Sequence, residues 1–170
     1  MRYAYSTDDA ETFVDVVIDN NAVPTLPSVA RAGTDLYASW IRQGDYAVMT
    51  ARSIDNGATW IDVEAVSAGG TNMFSWIDAR GSKVAVTWYG SAIAGQQPNA
   101  NAGPWYLKYS DSVDAGVTYT APVNAVASPV KNTPICTSGL GCDIGGSGGR
   151  ELGDFLQVAI DRQGKSIISY

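Results

Sequence analysis

The octet Ser53-Ile54-Asp55-Asn56-Gly57-Ala58-Thr59-Trp60 recurs as Ser112-Val113-Asp114-Ala115-Gly116-Val117-Thr118-Tyr119, and a worn copy, Ser6-Thr7-Asp8-Asp9-Ala10-Glu11-Thr12-Phe13, stands near the start. The shared pattern is Ser-x-Asp-x-Gly-x-Thr-aromatic, with Ala10 in the glycine position of the first copy. Three copies in 170 residues make this a repeat protein, and a repeat constrains the fold before anything else does. The octet reads as a tight hairpin. Gly57 and Gly116 supply positive φ, the Asp and Ser side chains accept from turn amides, and Trp60, Tyr119 and Phe13 open the next strand with a large apolar face. Ser53, Asp55, Gly57, Trp60, Ser112, Asp114, Gly116 and Tyr119 are therefore read as structural staples and not as reactive groups.

A second pattern interleaves with the octets. Residues Pro27–Trp40, Met73–Trp88 and Phe155–Ile168 each alternate apolar and polar residues around a Gly-bearing turn at Gly33, Gly81 and Gly164, which signals a plain hairpin. A plain hairpin followed by an octet hairpin makes four strands, one blade of a propeller. The expected fold is all-β, an open, partial β-propeller of four-stranded antiparallel blades, with two full blades flanked by two half blades. One domain covers 1–170: a half blade at 1–19, a blade at 27–67, a blade at 73–127 with an insertion at 92–105, an inserted Cys/Gly loop at 128–154, and a half blade at 155–170. Two blades and two halves cannot close a ring of about 4–8 blades, so both ends read as cut from a larger protein.

The octet resembles the Asp-box, or bacterial neuraminidase repeat, of sialidase-like β-propellers, and the likeness runs through nearly the whole chain as repeat grammar. It implies a propeller whose ligand pocket lies on the face opposite the Asp-boxes. Catalytic members use an arginine triad, a tyrosine nucleophile supported by a glutamate, and an aspartate acid/base. Their Phe/Tyr-Arg-Ile-Pro element does not occur in this sequence. The tyrosine–glutamate pair matches no position here either.

Composition narrows the partners. Hydrophobic residues make up 45% and charged residues 16%, as expected of a folded β-rich chain. A net charge of −6 with no Lys/Arg run argues against nucleic acid. No stretch approaches the roughly 20 apolar residues of a membrane-spanning helix. With no histidine, the commonest general base and zinc ligand is missing. Cys136 and Cys142 frame a short Gly-bearing loop; a local disulfide in an oxidising compartment is the first reading and a reduced cytosolic pair the second. The segment carries no signal peptide, and its expected place is extracellular or at the cell surface.

Function is expected on the inserted loops. Ser112 to Gly164 is about twice as long as Ser6 to Gly33 or Ser53 to Gly81, which locates the longer insertion. In an up-and-down blade the 2→3 and 4→1 connections share a side, and both insertions are of that kind. Loops that grow on a regular scaffold commonly carry function. There Arg150, Glu151 and Asp154 are the candidate catalytic set: two carboxylates for glycoside hydrolysis and a guanidinium that forks onto a substrate carboxylate. Their structural alternatives are an ion pair that ties the loop down or a cation site using Asp143 and Asp154. Tyr89, Trp105 and Trp40 are candidate sugar-stacking aromatics, Tyr89 and Trp105 being expected to be exposed and Trp88 core. Gly145-Gly146-Ser147-Gly148-Gly149 lacks the Lys-Ser/Thr of a phosphate loop and reads as a flexible lid.

The expected partner is a glycan or glycoconjugate, besides the remainder of the propeller or further copies joining through open blade edges. No cofactor is expected; a structural cation such as calcium is the one alternative. The reading is a segment of a sialidase-like propeller that binds glycans or hydrolyses glycosides in its parent. The alternatives are a non-catalytic carbohydrate-binding or adhesion propeller and a pure scaffold.

Overall fold

The computed structural model describes residues 1–137, 142, 152 and 155–170. Arg150, Glu151, Asp154, Asp143 and the run Gly145–Gly149 lie outside these described residues.

The architecture is an open, partial β-propeller. Strands β1 (Arg2–Tyr5) and β2 (Val14–Val17) form a two-stranded antiparallel sheet. A four-stranded blade follows: β3 (Ser28–Ala32), β4 (Asp35–Ile41), β5 (Val48–Ser53) and β6 (Ile61–Ala65), paired in sequence order. The next blade has β7 (Thr71–Arg80), β8 (Lys83–Ser91), β9 (Trp105–Ser112) and the short β10 (Val123–Asn124), again in order. Strands β11 (Gln157–Ile160) and β12 (Ser166–Ser169) make a final two-stranded sheet. Both four-stranded sheets are thus simple antiparallel meanders. The octets occupy the β1–β2, β5–β6 and β9–β10 turns, so the first pair corresponds to strands three and four of a blade, and β11–β12 to strands one and two.

Packing between blades makes the core. Tyr37, Ile41 and Val48 of the β3–β6 blade interleave with Ile77, Ala79, Val84, Val86 and Trp88 of the next, all fully or almost fully buried. On the other side of the same blade, Ala38, Trp40 and Met49 are covered by Met1, Ile18 and Trp60. Because successive strand residues point to opposite faces, β4 and β8 bury side chains on both faces, one set for each neighbouring blade, with the polar Ser39 and Thr87 buried among them. That is why strands lying in the middle of a stack are buried on both faces. Hydrogen bonds also stitch blade to blade, among them Ile77 N–H donating to Ser28 Oγ (3.2 Å) and Ile160 N–H to Asp78 Oδ2 (2.6 Å).

Each octet closes the same network. Ser53 Oγ donates to Asp55 Oδ1 (2.8 Å) and accepts from Gly57 N–H (2.8 Å). Thr59 donates to Asp55 through its backbone N–H (2.8 Å) and its hydroxyl (2.6 Å). Four donors on one carboxylate-and-hydroxyl pair stabilise the ionised Asp, and its pKa falls to about 2, chiefly through the Thr59 hydroxyl. Both carboxylate oxygens of Asp55 are thus engaged in the turn.

Candidate functional site

The two insertions fold onto each other beside the β7–β10 blade. Residues 92–104 connect β8 to β9 and wrap a buried asparagine, Asn101. Its Oδ1 accepts from Gly103 N–H (2.9 Å), its Nδ2 donates to Ile93 O (3.2 Å), and its carbonyl accepts from Trp105 Nε1 (3.2 Å). Thr71 Oγ1 lies 2.8 Å from Ile93 O and 2.9 Å from Gln96 O, tying the same loop to the start of β7. The segment is polar in composition yet ordered, because its own side chains satisfy its turn groups.

The second insertion docks on the first. Trp105 N–H donates to Lys131 O and Val130 N–H to Trp105 O, both at 2.8 Å, while Ile135 N–H donates to Pro98 O at 3.0 Å. Ile135, with Leu156 and the partly buried Leu152, covers Tyr89, Trp105 and Leu107 in one apolar cluster. Cys136 and Cys142 are joined in a disulfide with Cα atoms 5.8 Å apart.

Beside this platform lies a cleft of about 200 Å3, lined by Ser67–Gly70, Asn72, Ser91, Ala92 and Lys108 among others. Asn72 bridges it: its Oδ1 accepts from Trp88 Nε1 (2.8 Å), and its Nδ2 donates to Tyr46 O (2.9 Å) and Gly69 O (3.1 Å). The absence of a side chain at Gly90 makes room for Asn72, since a Cβ there would stand 2.7 Å from Asn72 Oδ1. Lys108 Nζ sits 5.5 Å above the Tyr106 ring and presents a positive charge at the rim. Neither Asn72 nor Lys108 stands out in the sequence; the glycine at position 90 of β8 is the trace Asn72 leaves there.

Three aromatic expectations need correction. Tyr89 and Trp105 are buried, not exposed, and Trp40 is buried too. The insertions explain the first two: they fold back over the end of the blade and cover the rings. Burial pushes the Tyr89 phenol up to about 12, so it stays protonated at neutral pH. Trp40 donates Nε1–H to Asp19 Oδ2 (2.8 Å) from inside its own core cluster. None of the three offers a ring face on which a sugar can stack. Trp88 is core, as expected.

Among the described residues no group of three or more Asp, Glu, His or Cys gathers as a metal site. No helix among them is long and apolar enough to cross a membrane.

No protein-family model matches the chain, and no curated protein matches it. Solved structures similar to it include a Trypanosoma rangeli sialidase in complex with 2,3-difluorosialic acid, described as the covalent intermediate. It is 13% identical over 72% of this chain and 23% of that one, with a TM-score of 0.47. The same sialidase in complex with sialic acid matches at 13% identity over 73% and 23%, with a TM-score of 0.45. This chain therefore spans less than a quarter of the length of those structures.

Proposed function

We propose that the chain is a segment of a sialidase-like propeller whose insertion face binds a glycan, with glycoside hydrolysis of the exo-sialidase type in the full-length protein. The observation that carries this reading is the union of the two insertions. A regular propeller scaffold places both on the side opposite its octets, where Ile135 and Pro98 join them beside a polar cleft. Loops elaborated together on a rigid scaffold are where binding chemistry concentrates. Arg150 is assigned to a substrate carboxylate, Glu151 and Asp154 to the two carboxylate roles of glycoside hydrolysis. The Cys136–Cys142 disulfide supports an extracellular or cell-surface setting.

A non-catalytic carbohydrate-binding or adhesion propeller is the second reading. It is favoured by Lys108, which offers the cleft a cation, with no carboxylate pair among the lining residues.

A glycan array combined with fluorogenic sialosides, run on the full-length protein that carries this segment, separates the two. Hydrolysis abolished by Glu151→Gln or Asp154→Asn supports the enzyme. Binding without turnover, weakened by Lys108→Ala, supports the lectin. Silence on every glycan removes both.

A further inference from the structure

Among the 170 residues there is one Asn-Gly step, Asn56-Gly57, and it stands at the tip of the second octet. Such a pair is prone to close on itself, because no side chain on the glycine hinders approach of its amide nitrogen to the asparagine Cγ. In this turn the two partners have different surroundings. Asn56 is exposed, with φ of 58°, and its Oδ1 accepts from Arg31 Nη2 of β3 at 3.4 Å. Gly57 is buried, and its N–H donates to Ser53 Oγ at 2.8 Å. The electrophile is open to solvent while the nucleophile is tied down.

The other octets show what this position tolerates. Its equivalents are Asp9 and Ala115, with φ of 56° and 60°. The first octet closes its Ser6, Asp8 and Thr12 network with an aspartate there, just as the second closes around Asn56. An ordinary aspartate at position 56 therefore fits the turn. A β-linked aspartate does not: it inserts an extra atom into the main chain between Asp55 and Gly57. The bonds from Gly57 N–H back to Ser53 Oγ and from Thr59 N–H back to Asp55 Oδ1 both span that point.

We propose that Asn56 is a self-modifying site and that Ser53 is the group that latches it. When the turn opens, Gly57 N gives its proton to solvent and attacks Asn56 Cγ. The N–Cγ bond forms, the Cγ–Nδ2 bond breaks, and Nδ2 takes up a proton and leaves as ammonia. Water then adds to one of the two carbonyls of the resulting ring and opens it to aspartate or to its β-linked isomer, with no change of oxidation state. In the closed turn the reaction is restrained twice. The bond to Ser53 Oγ holds the proton on the nitrogen, and burial keeps solvent base away from it. The rate of conversion then reports how often this octet opens. Conversion also changes the charge of the turn, setting a carboxylate where Arg31 now meets an amide oxygen.

Peptide mapping by mass spectrometry, run on protein aged at mildly alkaline pH, follows position 56 and separates the two aspartate isomers. Folded wild type is expected to convert at least about tenfold more slowly than the same chain in urea. Ser53→Ala, still folded by circular dichroism, recovers most of that difference. Ser112→Ala removes the same hydroxyl from the third octet, where Gly116 N–H donates to it at 2.9 Å, and leaves the rate at Asn56 unchanged. That comparison separates loss of the latch from a general loss of stability. Ala115→Asn writes a second Asn-Gly step over the held Gly116 N–H; it is expected to stay slow until Ser112→Ala is added. This pair tests the latch without touching the second octet. Equal rates in the folded and unfolded wild type overturn the proposal, as does an unfolded chain that never converts. So does a folded Ser53→Ala chain no faster than wild type, or a Ser112→Ala chain that speeds Asn56 as much as Ser53→Ala does.

Discussion

Within the shared pattern the first octet departs from the second at the glycine position, and their hydrogen bonds do not register it. In the first, Ser6 Oγ donates to Asp8 Oδ1 (2.7 Å) and accepts from Ala10 N–H (2.9 Å); Thr12 N–H and Oγ1 donate to Asp8 at 2.9 and 2.5 Å. The backbone agrees too, with φ of 70° at Ala10 and 93° at Gly57. What differs is the surroundings. Gly57 is buried, and a Cβ there would be driven into the Tyr3 ring and stand 3.2 Å from Leu36 Cδ1. At Gly116 it would stand 3.2 Å from Tyr37. Ala10 is exposed. The turn network alone tolerates alanine; it is the neighbouring blade that demands glycine.

That contrast can be broken by substitution, and the largest effect is expected at Gly57→Ala. It combines a left-handed backbone with overpacking against Tyr3 and should cost about 3 kcal/mol. At roughly 2–4 °C per kcal/mol for a chain of this size, thermal unfolding will show it plainly. Gly116→Ala should cost less, about 1–2 kcal/mol, because its Cβ would stand 3.2 Å from the Tyr37 ring and 3.4 Å from the Tyr119 hydroxyl, a tight fit without the outright overlap met at Gly57. Ser53→Ala should cost about 1–2 kcal/mol by orphaning the buried Gly57 N–H, and Ser6→Ala clearly less, since its amide partner is exposed. Urea titration of the two variants side by side measures the difference. Ala10→Gly should stabilise by about 0.5–1 kcal/mol, relieving a left-handed alanine with nothing packed against it.

In acid no difference between the first two octets is expected. Asp8 and Asp55 are both held at about 2 by their Thr and Ser partners, below an ordinary value of 3.8. A depressed carboxylate contributes stability above the unfolded value and loses it as pH falls through the folded one. The contribution of both turns therefore disappears between about pH 4 and pH 2. Carboxyl chemical shifts of Asp8 and Asp55 followed by NMR should titrate together. A first octet titrating near 3.8 would show that its network needs the glycine after all.

The site shows the same division between local and distant causes. The octets, the four-strand grammar and the location of both insertions are legible in the chain because each depends on residues a few positions apart. The burial of Tyr89 and Trp105 is not. Alternation places Tyr89 at the end of β8, but only the return of residues 92–104 and 125–137 over that end decides that its ring is covered. Asn72 is equally silent, a single amide whose importance comes from Trp88, Tyr46 and Gly69 converging on it.

By itself, then, the sequence determines the hairpins and their order. Turn hydrogen bonds and alternating strands are short-range, and each segment carries its own partners. Which aromatic faces open to solvent, which glycine cannot change, and that Ile135 joins Pro98 across nearly forty residues are decided by tertiary structure. The reason is physical: burial is a property of what packs against a residue, and in a propeller that neighbour is always the next blade or the next loop.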